Sequence, residues 1–524
     1  MARGTPVVTC EDLSMANRVD LNGVPFHFIG VGGIGMSALA YILARRNLPV
    51  AGSDIHLNQI TQKLQALGVR IFGEQVPTNL DYFCLSTGDR TPEMSTGISA
   101  LDIIAPSTAA IAPTATCQAA LALPQVVCSS AISHTNAEYR AALDLGCSIF
   151  HRSDLLAALL QEYDGIAVGG THGKTTTSSL IGHLLLDAGL DPTIVVGGEV
   201  STWGGNARLG QGSYLVAEAD ESDGSLVKFG AHIGVITNIE LDHPDHYRSL
   251  EQVIKTFQQF AQQCRHLVAC LDCQTIQTVL EPSVSYSLQP HGTADYWVDR
   301  VTYESNRTTA RVWERGQVLG YLELQLLGSH NLSNALAAVA VGRLVGLDFT
   351  TIHQAIATFP GARRRFELYG EYQGIRFIDD YAHHPSEIQA TLRAARIQAQ
   401  TGRVIAVFQP HRYSRTAVFL DQFARCFEDA DIVISSEIYG AGEANLVQLD
   451  GQQVAEAIAR YHPHVHYQSS LSAVQVCLRE LLHPGDTVIF LGAGNLNRII
   501  PDVMAVYQEI QPLPVLSTPA YSRD

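Results

Sequence analysis

Gly169, Gly170, Thr171, His172 and Gly173, followed by Lys174, Thr175 and Thr176, are residue types that hold phosphate. The apolar run "IAV" before them reads as a buried strand. The segment "TTTSSLIGHLLLDAGL" after them puts Leu180, Ile181, Leu184 and Leu185 on one helical face. A turn at that junction offers free backbone N–H groups and the positive end of a helix dipole. Lys174 adds a mobile charge for terminal phosphates, and Thr175 a hydroxyl for Mg2+. The pattern G-x-x-x-x-G-K-[ST] needs its first glycine where Val168 stands, so the loop is a shortened variant, and ATP is its expected ligand.

A metal on two phosphates needs hard oxygen donors from neighbouring strand ends. "SYLVAEADESDG" ends a strand in Glu218, Asp220, Glu221 and Asp223. "IGVITNIELDHPDHY" ends another near Asn238, Asp242 and His243. Either cluster alone reads as a solvated loop; the phosphate loop upstream makes both candidate ligand sets.

A second glycine motif lies earlier. "HFIGVGGIGMSALAYILARRNLPVAGSD" gives strand, Gly30-x-Gly32-x-x-Gly35, helix, strand and Asp54, the dinucleotide fingerprint. Its physical content is a diphosphate against a helix N-terminus, which suits UDP as well as NAD. Both readings stand at this point.

These residues need elements to position them. From "VPFHFIG" onward, short Val/Ile/Phe-rich runs alternate with segments of helical period, the pattern of parallel strands and covering helices, so the class is α/β. The pattern restarts at "DGIAVGG" and at "GIRFIDDYAHHP", predicting three domains over 1–163, 164–360 and 361–524. A Thr/Ser/Pro/Ala-rich stretch at about 81–123 predicts a long surface insertion, and "QPLPVLSTPAYSRD" a frayed tail.

A chain of 524 residues with 46% hydrophobic and 16% charged residues suits a multidomain globular protein. A net charge of -17 without basic runs argues against nucleic acid. No apolar stretch is long enough for a bilayer and the N-terminus lacks a signal-peptide core, so a cytoplasmic protein without a membrane partner is expected. The ten cysteines are scattered. Cys270 and Cys273 form a C-x-x-C without a second pair at zinc spacing, and read as core or strand-end thiols. Subunit number is not legible.

"FIGVGGIGMSALA", "SSAISHTNAEY", "GGTHGKTTT", "GGNARLG", "AEADESDGS", "TNIELDHPDHY", "GSHNLSNALAA", "RRRFELYG", "DDYAHHPSEI", "FQPHRYSRT" and "GAGN" follow one another in the order found in the Mur ligases of peptidoglycan synthesis, which the chain resembles over nearly its whole length. The resemblance implies a Rossmann-like domain for a UDP sugar, a central ATPase domain and a Rossmann-like C-terminal domain that brings the amino acid. It implies ATP-dependent joining of L-alanine to the lactyl carboxylate of UDP-N-acetylmuramate through an acyl phosphate. Lys174 falls on the ATP phosphates, Thr175 and Glu218 on Mg2+, and His243 on a second Mg2+. His330 and Asn331 match adenine contacts, and Arg365 and Asp380 match groups around the ATP. Tyr381, His383, Arg412 and Arg415 match the amino-acid side, with Arg412 or Arg415 for its carboxylate and His383 as candidate acceptor of the amine proton. Gly32, Gly33, Ile34, Gly35, Ser53, Asp54, Ser130 and Arg208 fall in stretches facing the UDP sugar.

In "AHHP", His384 reads as a partly exposed turn residue. "ACLDC" stands where the family commonly has Asn-Ala-Asp-Asp, apart from every motif used above. The alternatives are a recycling ligase that adds a tripeptide to the same sugar, an NAD-dependent oxidoreductase, and a non-catalytic nucleotide sensor.

Overall fold

The computed structural model describes residues 18–84, 123–290 and 293–508. They form two compact units, one ending at Ala158 and the other beginning at Leu159. Most of the expected insertion and all of the expected tail lie outside the described residues; the insertion's first residues form a short helix, Asp81–Cys84. No helix among the described residues is long and apolar enough to cross a membrane.

The first unit holds β1 (Phe26–Ile29), β2 (Val50–Ser53), β3 (Arg70–Phe72), β4 (Gln125–Cys128) and β5 (Ile149–His151), all parallel in the order β3-β2-β1-β4-β5. The order reverses between β1 and β4, which opens a crevice beyond their C-terminal ends. The first glycine loop leaves β1 there and enters the helix Ile34–Arg45.

The second unit holds two sheets. The larger contains β6 (Asp164–Gly169), β7 (Thr193–Val200), β8 (Gly205–Arg208), β9 (Tyr214–Glu218), β10 (Ile233–Ile236), β11 (His266–Cys270), β12 (Val284–Ser287), β13 (Tyr296–Tyr303), β14 (Thr308–Glu314) and β15 (Gln317–Leu324). Their order is β15-β14-β13-β12-β11-β10-β6-β9-β7-β8. β6 lies between parallel β9 and β10, with Val168 opposite Glu218 and Gly169 opposite Ile236, so three loops leave the sheet side by side. β6, β9 and β10 carry continuous apolar runs because both faces are covered. The helix Lys174–Asp187 is buried throughout Thr175–Leu185 rather than along one leucine face, since a second helix, Ser329–Leu344, packs over it. Alternating β13, β14 and β15 form an antiparallel meander, with Trp297 stacked on Trp313 at 4.6 Å, and depart from the expected parallel pattern.

The smaller sheet contains β16 (Glu367–Tyr372), β17 (Ile375–Asp380), β18 (Val404–Phe408), β19 (Ile432–Ser436), β20 (Val465–Gln468) and β21 (Thr487–Leu491), in the order β16-β17-β21-β18-β19-β20. Only β16 is antiparallel. Asp380, Leu491 and Phe408 lie in register, so the segments after β17 and β18 emerge beside each other.

Candidate active site

The phosphate loop is braced by the segment leaving β10. Thr171 N–H donates to Asn238 O at 3.0 Å, His172 N–H to Asn238 Oδ1 at 2.8 Å, and Thr237 Oγ1 to His172 O at 2.5 Å. Gly173, at φ +81, closes the loop and caps the helix. Lys174 Nζ donates back to Gly170 O at 2.7 Å and to both Glu221 carboxylate oxygens, at 3.0 and 2.8 Å. Burial opposes its charge, but Glu221 and Asp220 more than offset that and hold the ammonium above its usual pKa. Glu221 belongs to the acidic run seen in the sequence, yet its pairing with Lys174 could be found only in three dimensions.

Thr175 Oγ1 donates to Glu218 Oε1 at 3.1 Å, and Gly197 N–H to Glu218 Oε2 at 2.7 Å. Asp220, Glu221 and His243 bring ligand atoms within 4.8 Å of one another. Burial, with Arg415 nearby, holds His243 below the usual histidine pKa despite Asp242.

A cavity of about 520 Å³ opens beside the loop and reaches the smaller sheet; His172, Asn238, His330, Asn331, Arg365 and Asp380 line it. Burial keeps His330 neutral, with a pKa lowered to about 4. Asp380 accepts Phe366 N–H at 2.8 Å and Ala382 N–H at 2.7 Å, tying the arginine-rich turn to the end of β17. Burial, only partly opposed by Arg365, lifts its carboxyl to about 6. Cys270, Asp272 and Cys273 line the same cavity. The expectation that "ACLDC" stands apart from the motifs is therefore wrong: β11 ends two strands from β6 and delivers its last residues to the cavity wall.

Beyond β17, the Tyr381 ring has Arg364 and Arg365 guanidinium carbons at 4.9 and 5.3 Å from its centre. His383 Nδ1–H donates to Tyr381 O at 2.9 Å, leaving Nε2 as its acceptor; burial and then Arg415 push its pKa down to about 3. His384 is 4% exposed, not a surface turn residue: it caps the helix Pro385–Ala399, accepting Ser386 N–H at Nδ1 while Glu387 receives its own N–H. Beyond β18, Arg415 is buried against Asp242 and Arg412 meets Asp245.

In the first unit, Gly32 N–H donates to Asp54 Oδ2 at 2.8 Å and Gly33 caps the following helix, with Ile34 exposed. Ser130 is exposed in the turn after β4. Ser53 is 0% exposed, and its hydroxyl donates to Glu138 at 2.5 Å. It lies beneath the glycine loop, holding Gly30 N–H and Val31 N–H through its carbonyl, and offers no side-chain contact to a ligand. In the second unit, Arg208 is paired with Asp191 and donates to Pro192 O at 2.9 Å.

Three family models match consecutive segments: the Mur ligase family catalytic domain at 25–164, the Mur ligase middle domain at 168–342 and the Mur ligase glutamate ligase domain at 364–494. The chain belongs to the Mur ligase family. It is a ligase, and the oxidoreductase reading of its first glycine motif is set aside. Among relatives of this Mur ligase, the UDP-N-acetylmuramate--L-alanine ligase of Gloeothece citriformis is 57% identical over 94% of this chain and 99% of that one. The enzyme of the same name from Nostoc punctiforme is 58% identical over the same shares. The fold is that of UDP-N-acetylmuramate-alanine ligase MurC from Thermotoga maritima (TM-score 0.73, 24% identity, 93% of this chain and 100% of that one). A murein peptide ligase from Psychrobacter arcticus also shares it (TM-score 0.63, 21% identity, 94% and 100%).

Proposed function

We propose that this Mur ligase uses ATP to join L-alanine to the lactyl carboxylate of UDP-N-acetylmuramate, in the cytoplasm, as a step of peptidoglycan synthesis. The observation that carries the reading is that Arg365, which lines the cavity together with Asp380, reaches the hydroxyl of Thr175 in the phosphate loop, where Glu218 accepts from the same hydroxyl, in a chain 57% identical to a ligase of that name. Curated relatives at this identity carry the alanine-adding name, which favours it over tripeptide recycling.

A carboxylate repels an amine and has no good leaving group, so it must be activated first. Transfer of the γ-phosphoryl group of ATP to the lactyl carboxylate gives an acyl phosphate and ADP; attack by the free amine then forms the amide and releases phosphate. Lys174 and the loop N–H groups hold the phosphates in line. The donors fit hard divalent cations: Thr175 and Glu218 present oxygens 3.1 Å apart, and His243 sits with Asp220 and Glu221 beside them. Mg2+ bound there supplies charge neutralisation on the phosphoryl oxygens. Arg365, reaching Thr175 Oγ1 at 3.4 Å, brings a second cation to the same oxygens. Neutral His383, with Nε2 as acceptor, suits the amine end of the amino acid, and the glycine loop ending in Gly35 suits the UDP diphosphate.

The test is phosphate release with ATP, UDP-N-acetylmuramate and L-alanine, omitting each in turn and offering glycine, L-serine or the tripeptide instead. Release should require all three, and Lys174→Ala should lower it by about two to three orders of magnitude. Release with the tripeptide but not with L-alanine would overturn the reading.

A further inference from the structure

The two arginines after β18 stand in different environments. Arg415 Nε donates to Asp242 Oδ1 at 2.9 Å, with the two side chains 3% and 5% exposed, and its other nitrogens reach His411 Nδ1 at 3.3 Å and His243 Nδ1 at 3.5 Å. Withdrawing it would strand a buried carboxylate, so it is not available to an incoming ligand. Arg412 Nη1 donates to Asp245 Oδ2 at 2.6 Å, with side chains 34% and 39% exposed, and Glu443 lies beyond at 3.6 Å. Such a pair is screened by water and readily exchanged.

Both partners are held for this encounter. Arg412 sits at φ +68, an unusual value for a residue with a side chain, and its N–H donates to Tyr439 O at 2.8 Å. Asp245 belongs to a tight turn in which His243 sits at φ +54 and accepts His246 N–H and Tyr247 N–H, both at 2.9 Å. The Tyr247 hydroxyl anchors that turn to Glu221 O at 2.7 Å. Glu443 is occupied by Ser414, through its N–H at 3.2 Å and its hydroxyl at 2.9 Å.

We propose that Asp245 occupies Arg412 in place of the amino acid's carboxylate, so that the substrate must displace it to bind. The proposal rests on the amino-acid reading of Arg412 given above. The two ligands are the same chemical group, and the guanidinium N–H that donates to the one can donate to the other. Asp245 thereby weakens amino-acid binding, while Arg415 holds the floor of the subsite.

The test compares the wild type, Asp245→Asn and Asp245→Glu in the phosphate-release assay, with L-alanine varied at saturating ATP and UDP-N-acetylmuramate. Asp245→Asn should lower KM for L-alanine about two- to fivefold without a matching change in kcat or in KM for ATP. Asp245→Glu should stay near wild type, and the difference should shrink as salt is raised. Partial loss of folded enzyme would lower the apparent kcat and leave KM unchanged, so it cannot mimic a lowered KM. An active wild type whose KM for L-alanine is unchanged or raised by Asp245→Asn overturns the proposal alone. A wild type that releases no phosphate with L-alanine overturns the functional reading and the proposal with it.

Discussion

His172 lies within the phosphate loop with a carboxylate on each side of its ring: Glu240 is 3.5 Å from Nε2 and Glu387 3.3 Å from Nδ1. Burial disfavours the imidazolium, but the two acids more than compensate and raise its pKa to about 10. A histidine whose folded pKa is raised stabilises most below its unfolded value near 6.5, and that contribution fades as pH climbs toward about 10. His172→Gln should therefore lower the melting temperature of the ligand-free protein more at pH 6 than at pH 9.5. Equal losses at the two pH values would show that the ring acts by shape alone. Lys174, Thr175 and Glu218 were legible in the sequence because their types are themselves the chemistry. The burial of Ser53 and His384 was not legible in the sequence because it is set by distant partners. Ser53 is claimed by Glu138, 85 residues away, and His384 is covered by His172 at 4.6 Å between ring centres.

Strand ends carry the site, and the strand–loop–helix order around β6 was readable from apolar runs and glycines alone. The neighbours of β6 were not: order within a sheet is a long-range property, so nothing local brought β11 and its two cysteines to the cavity or made β13–β15 antiparallel. The loop's dependence on that packing can be tested at Gly170, which sits at φ +137 directly against Thr237 on the strand-end segment beyond β10. A Cβ there would overlap the Thr237 hydroxyl that holds His172 O. Gly170→Ala should cost about 1–3 kcal/mol in urea unfolding and abolish phosphate release. Gly189→Ala, at φ +75 with open space around it, should cost only about 1 kcal/mol and leave release intact.

At the scale of the whole second unit, the question is what joins two sheets that each have a core of their own. The smaller sheet is covered on both faces by separate apolar clusters, one including Phe408 and Phe423 and the other Phe377 and Phe490. Polar side chains link it to the larger sheet. Ser386 Oγ donates to Glu240 at 2.8 Å and Arg363 Nη1 to Glu199 at 3.1 Å, but the deepest link is Arg415 on Asp242. His243 and Arg415 keep the Asp242 carboxyl well below the usual range against the effect of burial. Removing one member leaves the other buried and charged without its partner, whereas replacing both by apolar groups does not. Arg415→Met should therefore destabilise the protein by about 3–5 kcal/mol in urea unfolding, and adding Asp242→Leu should recover most of that loss. If the single variant instead lost under about 1 kcal/mol, the pair would have to be as weakly held as an exposed one, and Arg415 would be as free as Arg412 to take a substrate carboxylate.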